Sequence, residues 1–354
     1  STSLIDKWSK AEAAIQNGID LVIELPVLYT TSSAENFADG AIKILDSLKV
    51  VDYISFGAET SDVDILNKFA DVLSHELSKG ISYPKARENA LMIYLNDIRK
   101  CVNVLSSPNN ILGIEYLKAL KKYKSNIMPI SIARYESAYN DSSYSGNIAS
   151  ATAIRNIIKN NGFDILRRLL PSSSYSILIK NIKQGHIIPD ISVFEKQIIY
   201  NLRKMETSEI AMLPDVTEGL EFAIKKAANS CNNLNDLLNI IKSKRYTSTR
   251  IQRILLYALL GITKKDIDIS KKTTPYIRVL GLNNRGKFLI SEIAKANPKL
   301  EIITSVKRFY DNNTNKNLKL MLDKDIFATN VYTIGYEDDS WSNLDFTQKI
   351  INNE

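Results

Sequence analysis

A short run of small and hydroxyl-bearing residues ending in an arginine is the part of this sequence best suited to hold a phosphate. The run is Ile148-Ala149-Ser150-Ala151-Thr152-Ala153-Ile154-Arg155. Ser150 is a favoured N-cap residue, which would place Thr152 in the first turn of a helix and Arg155 one turn later. Backbone N–H groups, the helix dipole, hydroxyls and a guanidinium would then converge on one anion. The alternative is an ordinary capped helix with a surface arginine, and spacing alone favours that alternative.

A pair of asparagines forms the second candidate site. Asn109 and Asn110 stand in the run Pro108-Asn109-Asn110-Ile111-Leu112-Gly113. Their amides can donate and accept hydrogen bonds toward a base, a ribose or a carboxylate. The alternative is a turn followed by a helix, with Asn110 as the N-cap residue before an apolar run. The sequence supports both interpretations equally.

Positive charge is concentrated in one segment of the chain. Residues 241–290 contain twelve Lys and Arg residues and two acidic ones, whereas the net charge of the whole chain is +7. The most closely spaced of these cations are Lys242, Lys244, Arg245, Arg250 and Arg253. Apolar residues fill one face of the helix predicted here, so Arg250, Arg253 and Tyr257 should share another face. Such a surface suits an RNA backbone, and the alternative is a solvated lysine-rich surface.

Several common kinds of catalytic site find no support in the sequence. His75 and His186 are the only histidines, and neither has the spacing of a metal ligand, so we predict no metal site in the protein itself. No glycine-flanked serine of the strained kind supports a Ser-His-Asp triad. The lysine motif of a P-loop is missing as well.

Strands and helices alternate in the region that would position these motifs. Three apolar runs, 19–26, 51–57 and 127–133, are typical of buried strands, with helical spacing between them. This alternation predicts an α/β fold with a doubly wound, Rossmann-like parallel sheet, in which ligands bind beyond the carboxyl ends of the strands. Gly57 and Arg134 lie at two of those ends. Either could equally be an ordinary turn residue.

The periodicity changes twice further along the chain. The pattern is helical from about residue 163 to Gly261, and strands return after Pro275. We therefore predict three domains. A Rossmann-like domain would cover residues 1–160, a helical domain residues 161–265, and a small α/β domain residues 266–354.

Composition indicates a globular protein of the cytoplasm. The chain has 354 residues, of which 44% are hydrophobic and 24% are charged. Its two cysteines, Cys101 and Cys231, fit a reduced, cytosolic setting. No apolar run approaches the roughly 20 residues that span a bilayer, so no membrane association is expected. The sequence leaves the oligomeric state open.

Several of these motifs, taken in order, resemble one bacterial enzyme family. They are Ser3-Leu4-Ile5-Asp6-Lys7-Trp8, the run from Gly18 to Pro26, Ser55-Phe56-Gly57-Ala58-Glu59, Pro108 to Gly113, Ile148 to Arg155, and Lys242 to Arg253. Together they resemble the tRNA(Met) cytidine acetate ligases, over a stretch from residue 3 to at least Ser305. That family belongs to the nucleotidylyltransferase superfamily and has a HIGH-type Rossmann-like fold.

The resemblance implies a ligase that uses ATP to activate acetate as acetyl-adenylate, with release of pyrophosphate. The acetyl group would then pass to N4 of the wobble cytidine of elongator tRNA(Met), giving N4-acetylcytidine. ATP would be a substrate, expected to come with Mg²⁺, and acetate and tRNA would be the other partners. The resemblance identifies no catalytic base for the acetyl transfer.

The resemblance also implies roles for individual residues. Those that match the ATP site are Gly57, Asn109 or Asn110, Arg134, Ser150, Thr152 and Arg155. The last three match the family's second phosphate-binding motif. Gly57 would let the backbone approach the adenosine, and Arg134 would offset charge on the phosphates or the acyl-adenylate. The tRNA backbone would meet Lys242, Lys244, Arg245, Arg250 and Arg253.

One part of the family pattern does not occur in this sequence. The family opens with a strand and an HxGH-like motif that holds the ATP phosphates, and no such motif is found here. The segment that would carry it is disordered, removed or absent from the gene, and the sequence leaves these alternatives open. If it is absent, we expect half of the phosphate site to be missing and this truncated chain to be inactive. A small-molecule nucleotidylyltransferase is an alternative, although it would have no need of the basic segment. A non-catalytic RNA-binding remnant is the other alternative.

Overall fold

The structure is a computed structural model that describes most of the chain. The residues described are 3–81, 83–93, 104–105, 107–134, 149–160, 162–217, 219–242, 246–338 and 342–353. They fall into two compact units. We call the unit formed by Ser1–Ser32, Ile157–Ile290 and Glu301–Glu354 the host unit, and the unit formed by Ser33–Asn156 and Ser291–Leu300 the inserted unit.

The helices and strands of the described residues occur in the following order along the chain. The first helices are α1 (Lys7–Gln16), α2 (Val27–Thr30), α3 (Ala34–Leu48), α4 (Val63–Ser78), α5 (Tyr83–Ile93), α6 (Pro108–Tyr123) and α7 (Ala151–Lys159). The next are α8 (Phe163–Leu169), α9 (Ser172–Lys183), α10 (Glu195–Lys204), α11 (Thr207–Ala211), α12 (Leu220–Ser230), α13 (Leu234–Ile241) and α14 (Ser248–Leu260). The last are α15 (Lys264–Lys272), α16 (Asn284–Ala296), α17 (Val306–Asn312), α18 (Lys316–Thr333) and α19 (Leu344–Thr347). The strands are β1 (Leu21–Glu24), β2 (Tyr53–Ala58), β3 (Met128–Ala133), β4 (Ile277–Asn283), β5 (Ile302–Ile303) and β6 (Ile351–Asn353).

The inserted unit is built on the parallel pair β2 and β3. The register runs from Tyr53 opposite Met128 to Ala58 opposite Ala133, which confirms the parallel pairing predicted for these two strands. Helices α3 and α4 both pack against α6. The core between these elements is made of large apolar side chains such as Ile42, Leu66, Phe69, Ile114 and Leu117. This is the α/β arrangement expected of a Rossmann-like domain.

The first predicted strand does not belong to the β2–β3 sheet. Instead, β1 pairs antiparallel with β4, with Leu21 opposite Leu282 and Glu24 opposite Arg278. The prediction that the run 19–26 joins the same parallel sheet is therefore wrong. The remaining pairs of this second sheet, β4 with β5 and β4 with β6, are parallel. An apolar strand pattern predicts burial but carries no information about which strand lies next to it.

A buried cluster of charges explains why β1 pairs with β4. Lys7 Nζ lies 2.8 Å from Glu24 Oε1 and 2.7 Å from Asp345 Oδ1. The Arg278 guanidinium contacts both carboxylates, with its Nε 3.4 Å from Glu24 Oε2. Buried charges are tolerated only when they are paired, so these four residues hold β1, β4, α1 and α19 together. Arg278, counted above in the basic segment, is 5% exposed and contributes nothing to a basic surface.

The boundaries of the compact units differ from the three domains predicted above. Residues 1–32 belong to the host unit rather than to a domain that extends to residue 160. The helical segment and the C-terminal segment share one core, which joins Ile198 and Leu255 to Tyr276 and Met321. The periodicity change near residue 275 therefore marks a change of secondary structure within one unit.

A buried carboxyl in the host unit gives stability an unusual pH dependence. Asp325 Oδ1 accepts a hydrogen bond from Val27 N at 2.6 Å, and its other oxygen contacts the Tyr276 hydroxyl. Burial, reinforced by the nearby Glu24 charge, raises the pKa of Asp325 from 3.8 to about 7. The folded state thus binds this proton more tightly than the unfolded state, and the contribution of Asp325 to stability falls as the pH rises through that interval.

Replacing Asp325 with asparagine is expected to stabilise the protein at pH 8. An asparagine has the shape of the protonated carboxyl, keeps an oxygen that accepts from Val27 N, turns a donor toward the Tyr276 hydroxyl as the protonated carboxyl can, and cannot ionise. The free energy of unfolding, measured by urea titration, should be higher in the variant by up to ~4 kcal/mol at pH 8 and nearly equal to that of the wild type at pH 4. Comparing the two proteins cancels the contribution of every carboxyl that does not interact with Asp325. A difference that stays constant with pH would contradict this account.

Candidate functional site

The carboxyl ends of β2 and β3 bring two of the predicted ATP-site residues together. Arg134 N donates to Ala58 O at 2.9 Å, which continues the strand pairing by one residue. A Cβ atom placed on Gly57 would lie 3.6 Å from Arg134 Cγ. Both residues are exposed, so a ligand can reach the Gly57 backbone and the Arg134 guanidinium from the same side. The strand pattern predicted that both residues lie at strand ends, as the structure shows.

The loop after β2 is bound to the start of α6 through the two asparagines. Asn109 Nδ2 and Asn110 N donate to the two carboxylate oxygens of Glu59, at 2.7 and 2.9 Å. Asn110 Oδ1 accepts from Thr60 N at 2.9 Å, and its Nδ2 donates to Thr60 Oγ1 at 3.2 Å. Glu59 is not among the residues that the motifs predicted for the site, although it stands in the same run as Gly57.

These contacts separate the roles of the two asparagines. Asn110 is 1% exposed, and both ends of its amide are bonded to Thr60. Its side chain therefore fixes the loop rather than facing a ligand. The alternative that made Asn110 the N-cap residue is wrong, because α6 begins at Pro108 and its N-cap residue is Ser107. Asn109 is half-buried and lies beside the Glu59 carboxylate, at the edge that also carries Gly57. Of the two asparagines, Asn109 is the one that a nucleotide can reach.

A close approach of α6 to β2 fixes this edge of the inserted unit. A Cβ atom on Gly113 would lie 2.7 Å from Cε2 of Phe56, which is shorter than any ordinary contact. The glycine therefore allows the helix to lie directly on the Phe56 ring, which also packs 5.6 Å from the Tyr116 ring. Gly113, at the end of the asparagine motif, therefore has a packing role. It sets the distance between α6 and Glu59, the residue that caps this helix.

The phosphate motif forms the predicted helix start. Ser150 Oγ accepts a hydrogen bond from Ala153 N at 3.0 Å, which confirms Ser150 as the N-cap residue of α7. Thr152 is exposed in the first turn and Arg155 is half-buried one turn later, as the spacing predicted. Residues 135–148, which connect β3 to this helix, lie outside the described residues. The position of the motif relative to the carboxyl ends of the strands stays a prediction.

Two arginines of the basic segment bind a loop of the protein itself. Arg250 donates from Nε and Nη2 to Asp215 O, at 2.9 and 2.6 Å, and from Nη2 to Thr217 Oγ1 at 2.7 Å. Arg253 Nε and Nη2 both lie 2.8 Å from Asp215 Oδ2. Asp215 has a φ of 64°, in the left-handed region that a non-glycine residue rarely adopts. The two arginines therefore hold an unfavourable turn in place.

The rest of the basic segment is only partly described. Lys242 is exposed just after α13, while Lys244 and Arg245 lie outside the described residues. The Tyr246 ring lies 5.1 Å from the Arg250 guanidinium. Tyr257 is 1% exposed and belongs to the core, so the prediction that it shares an open face with the two arginines is wrong. Helix α14 is surrounded by other helices, and the periodicity of its apolar residues underestimates how much of it is buried.

Neither a metal-binding cluster nor a membrane-spanning helix occurs among the residues that the structure describes. In the described ranges, no group of three or more His, Cys, Asp or Glu side chains could hold a metal ion. The helices of the same ranges are too short or too polar to cross a membrane. Cys231 is buried and carries no disulfide, and Cys101 lies outside the described residues.

The fold and the site define a class of nucleotide-binding enzyme. The family model described as HIGH Nucleotidyl Transferase matches residues 1–345, and the chain belongs to that family. It is 43% identical over 360 residues to the tRNA(Met) cytidine acetate ligase of Caldanaerobacter subterraneus subsp. tengcongensis, covering 99% of this chain and 88% of that protein. Both comparisons extend over nearly the whole chain.

Solved structures agree with this assignment and confirm the Rossmann-like fold. Apo TmcAL of Thermotoga maritima has a TM-score of 0.90 and 31% identity to this chain, covering 99% of this chain and 88% of the other. The same Thermotoga protein bound with alpha-thio ATP has a TM-score of 0.87 and 30% identity, with the same coverage. The relationship therefore includes a protein of the same fold that binds an ATP analogue.

Proposed function

We propose that this protein is a cytoplasmic, ATP-dependent acetate ligase that acetylates a cytidine of tRNA(Met). The observation that carries the proposal is the 43% identity, over 99% of the chain, to an enzyme named for that reaction. The site supports it independently, because Gly57, Asn109 and Arg134 lie at the carboxyl edge of a parallel strand pair. That edge is where Rossmann-like sheets bind nucleotides.

The proposed reaction has two steps. An oxygen of acetate attacks the α-phosphorus of ATP, the bond to the bridging oxygen breaks, and pyrophosphate leaves with the bonding electrons. N4 of the wobble cytidine then attacks the carbonyl carbon of acetyl-adenylate. AMP leaves with the electrons of the broken bond, and N4 loses one proton. The products are pyrophosphate, AMP and N4-acetylcytidine.

The residues of the inserted unit would act by binding and by charge. The Arg134 guanidinium would neutralise charge on the phosphates, and the N-terminus of α7 with Thr152 and Arg155 would bind the leaving pyrophosphate. Ser150 would hold that helix start in shape through its cap. Mg²⁺ would bind through the phosphate oxygens of ATP, as it usually does in nucleotide sites.

We also propose that the tRNA backbone meets the basic segment. Lys242 is exposed, and Lys244 and Arg245 follow it in the sequence. Arg250 and Arg253 would contribute their charge indirectly, because their donors are engaged by the turn at Asp215. Their main role would be to hold that turn in a fixed position, with the Tyr246 ring against the Arg250 guanidinium.

Salt dependence separates direct phosphate contacts from positioning contacts. We expect Lys242→Ala to lower tRNA affinity and to reduce the slope of log affinity against log salt by about one, because one phosphate contact is lost. Arg253→Ala should instead lower thermal stability, because Asp215 loses its partner. Exposed Lys226, outside the segment, is the control, and its replacement by alanine should change neither quantity. An unchanged slope for Lys242→Ala would remove this lysine from the proposed tRNA surface.

Mass analysis of tRNA nucleosides tests the whole proposal. The protein, expressed from its complete gene, is incubated with tRNA(Met), ATP and ¹⁴C-labelled acetate, and the digested tRNA is examined for labelled N4-acetylcytidine. Label should appear only when ATP is present, with AMP and pyrophosphate as the other products. Nucleotide transfer to a small molecule without labelled tRNA would favour the small-molecule nucleotidylyltransferase instead.

A further inference from the structure

The Glu59 carboxylate lies at the carboxyl end of β2 and is held in one orientation. Each of its oxygens accepts one hydrogen bond, from Asn109 Nδ2 at 2.7 Å and from Asn110 N at 2.9 Å. The residue is nevertheless exposed. A carboxylate has about four acceptor positions, so those not used by the two asparagines are available to a ligand.

The charge of Glu59 determines which part of a nucleotide can bind next to it. The start of α6 is a helix N-terminus, which would otherwise attract a phosphate, but the Glu59 carboxylate already occupies it. A triphosphate placed there would meet a like charge. Arg134, on the neighbouring strand end and in reach of Gly57, offers the opposite charge. The nucleotide must therefore turn its phosphates toward Arg134 and an uncharged part toward Glu59.

The uncharged part that suits a carboxylate acceptor is a hydroxyl donor. In doubly wound folds, an acidic side chain near a strand end accepts hydrogen bonds from ribose hydroxyls. Gly57, two residues before Glu59, has no side chain to shield its backbone, and a Cβ there would meet no atom closer than 3.6 Å. We infer that Glu59 accepts hydrogen bonds from the ribose hydroxyls of ATP and thereby orients the nucleotide with its phosphates toward Arg134. This inference rests on the proposed ATP-dependent function.

Deoxynucleotides provide the direct test. Isothermal titration calorimetry with ATP, 2′-deoxy-ATP and 3′-deoxy-ATP should show that the wild type binds at least one deoxynucleotide about tenfold or more weakly than ATP, the range for a hydrogen bond to a charged group. In Glu59→Gln, ATP should bind more weakly by a similar factor. The discrimination between ATP and that deoxynucleotide should fall to about twofold or less, because the glutamine amide has a single, uncharged acceptor oxygen for which the two donors of α6 compete with the ribose hydroxyl.

Asp62→Asn is the matched control for helix capping. Asp62 caps α4 by accepting from Asp64 N at 2.9 Å and Ile65 N at 3.1 Å, much as Glu59 caps α6. The control should keep the wild-type discrimination. If Glu59→Gln weakens ATP and both deoxynucleotides by the same factor, Glu59 only caps the helix and the inference is overturned while the proposed function stands. If the wild type binds none of the three nucleotides, the proposed function fails and this assignment fails with it.

Discussion

Replacing Arg155 with alanine is expected to weaken ATP binding by about 1.5–3 kcal/mol, which is roughly ten- to hundredfold in the dissociation constant. The guanidinium lies one turn into α7, behind the cap that Ser150 makes with Ala153 N. A phosphate bound at that helix start would receive backbone N–H groups, the Thr152 hydroxyl and this cation together. Removing the cation takes away the strongest of these hydrogen-bond donors.

The measurement is a nucleotide titration by calorimetry, with tRNA binding measured in parallel. Arg168, exposed on the next helix, is the control, and Arg168→Ala should bind ATP as the wild type does. Arg155→Lys should recover part of the affinity, because a lysine keeps the charge but not the planar pair of donors. Equal ATP affinity for Arg155→Ala and the wild type would leave the helix start as an ordinary capped helix.

The largest effect on stability is expected from replacing Gly286 with alanine. A Cβ atom on this residue would lie 2.0 Å from the backbone oxygen of Asp20 and 2.9 Å from Leu282 Cβ. A backbone oxygen cannot rotate away as a side chain can, so β1 and the start of α16 would have to move apart. The same oxygen accepts a hydrogen bond from Asn283 N at 3.1 Å, which the movement would also weaken. We expect a loss of about 3 kcal/mol or more in the free energy of unfolding.

Urea unfolding of Gly286→Ala beside Gly57→Ala would test this. Gly57 is the matched glycine, because a Cβ there would meet its nearest atoms at 3.6 and 4.0 Å, which are ordinary contacts. Its replacement should change stability by less than about 1 kcal/mol, whatever it does to nucleotide binding. Wild-type stability in Gly286→Ala would mean that α16 can shift on β1 freely.

Local patterns predicted those parts of the fold that depend on neighbours in sequence. The cap at Ser150, the strands around Gly57 and Arg134, and the parallel pairing of those strands followed from spacing and residue type. The partner of β1 did not follow, because it depends on Lys7 meeting Asp345 and on Glu24 meeting Arg278. Such pairings join residues hundreds of positions apart, and no periodicity records them.

In the candidate site, too, the sequence predicted local features but not contacts between distant residues. The strand pattern placed Gly57 and Arg134 at neighbouring strand ends, but the asparagine motif did not distinguish the buried Asn110 from the reachable Asn109. The role of Arg250 was hidden for a related reason. An arginine has the same appearance in a sequence whether its donors face a phosphate or the carbonyl oxygen of Asp215. Only the position of the partner loop distinguishes the two cases.

The buried charge cluster of the host unit has a consequence for the order of events on the ribosome. Lys7 and Asp345 are separated by 338 positions in the sequence. Glu24 can form its ion pair only after Arg278, on β4, has been synthesised. At about 5–20 residues per second, β1 would stay without its partner strand for roughly 15–50 s after it is made. The inserted unit, of which residues 33–156 emerge during that interval, has most of its core available early. Nascent chains would therefore carry most of the core of the inserted unit while β1 is still unpaired, and β1 would be a segment that needs protection by a chaperone.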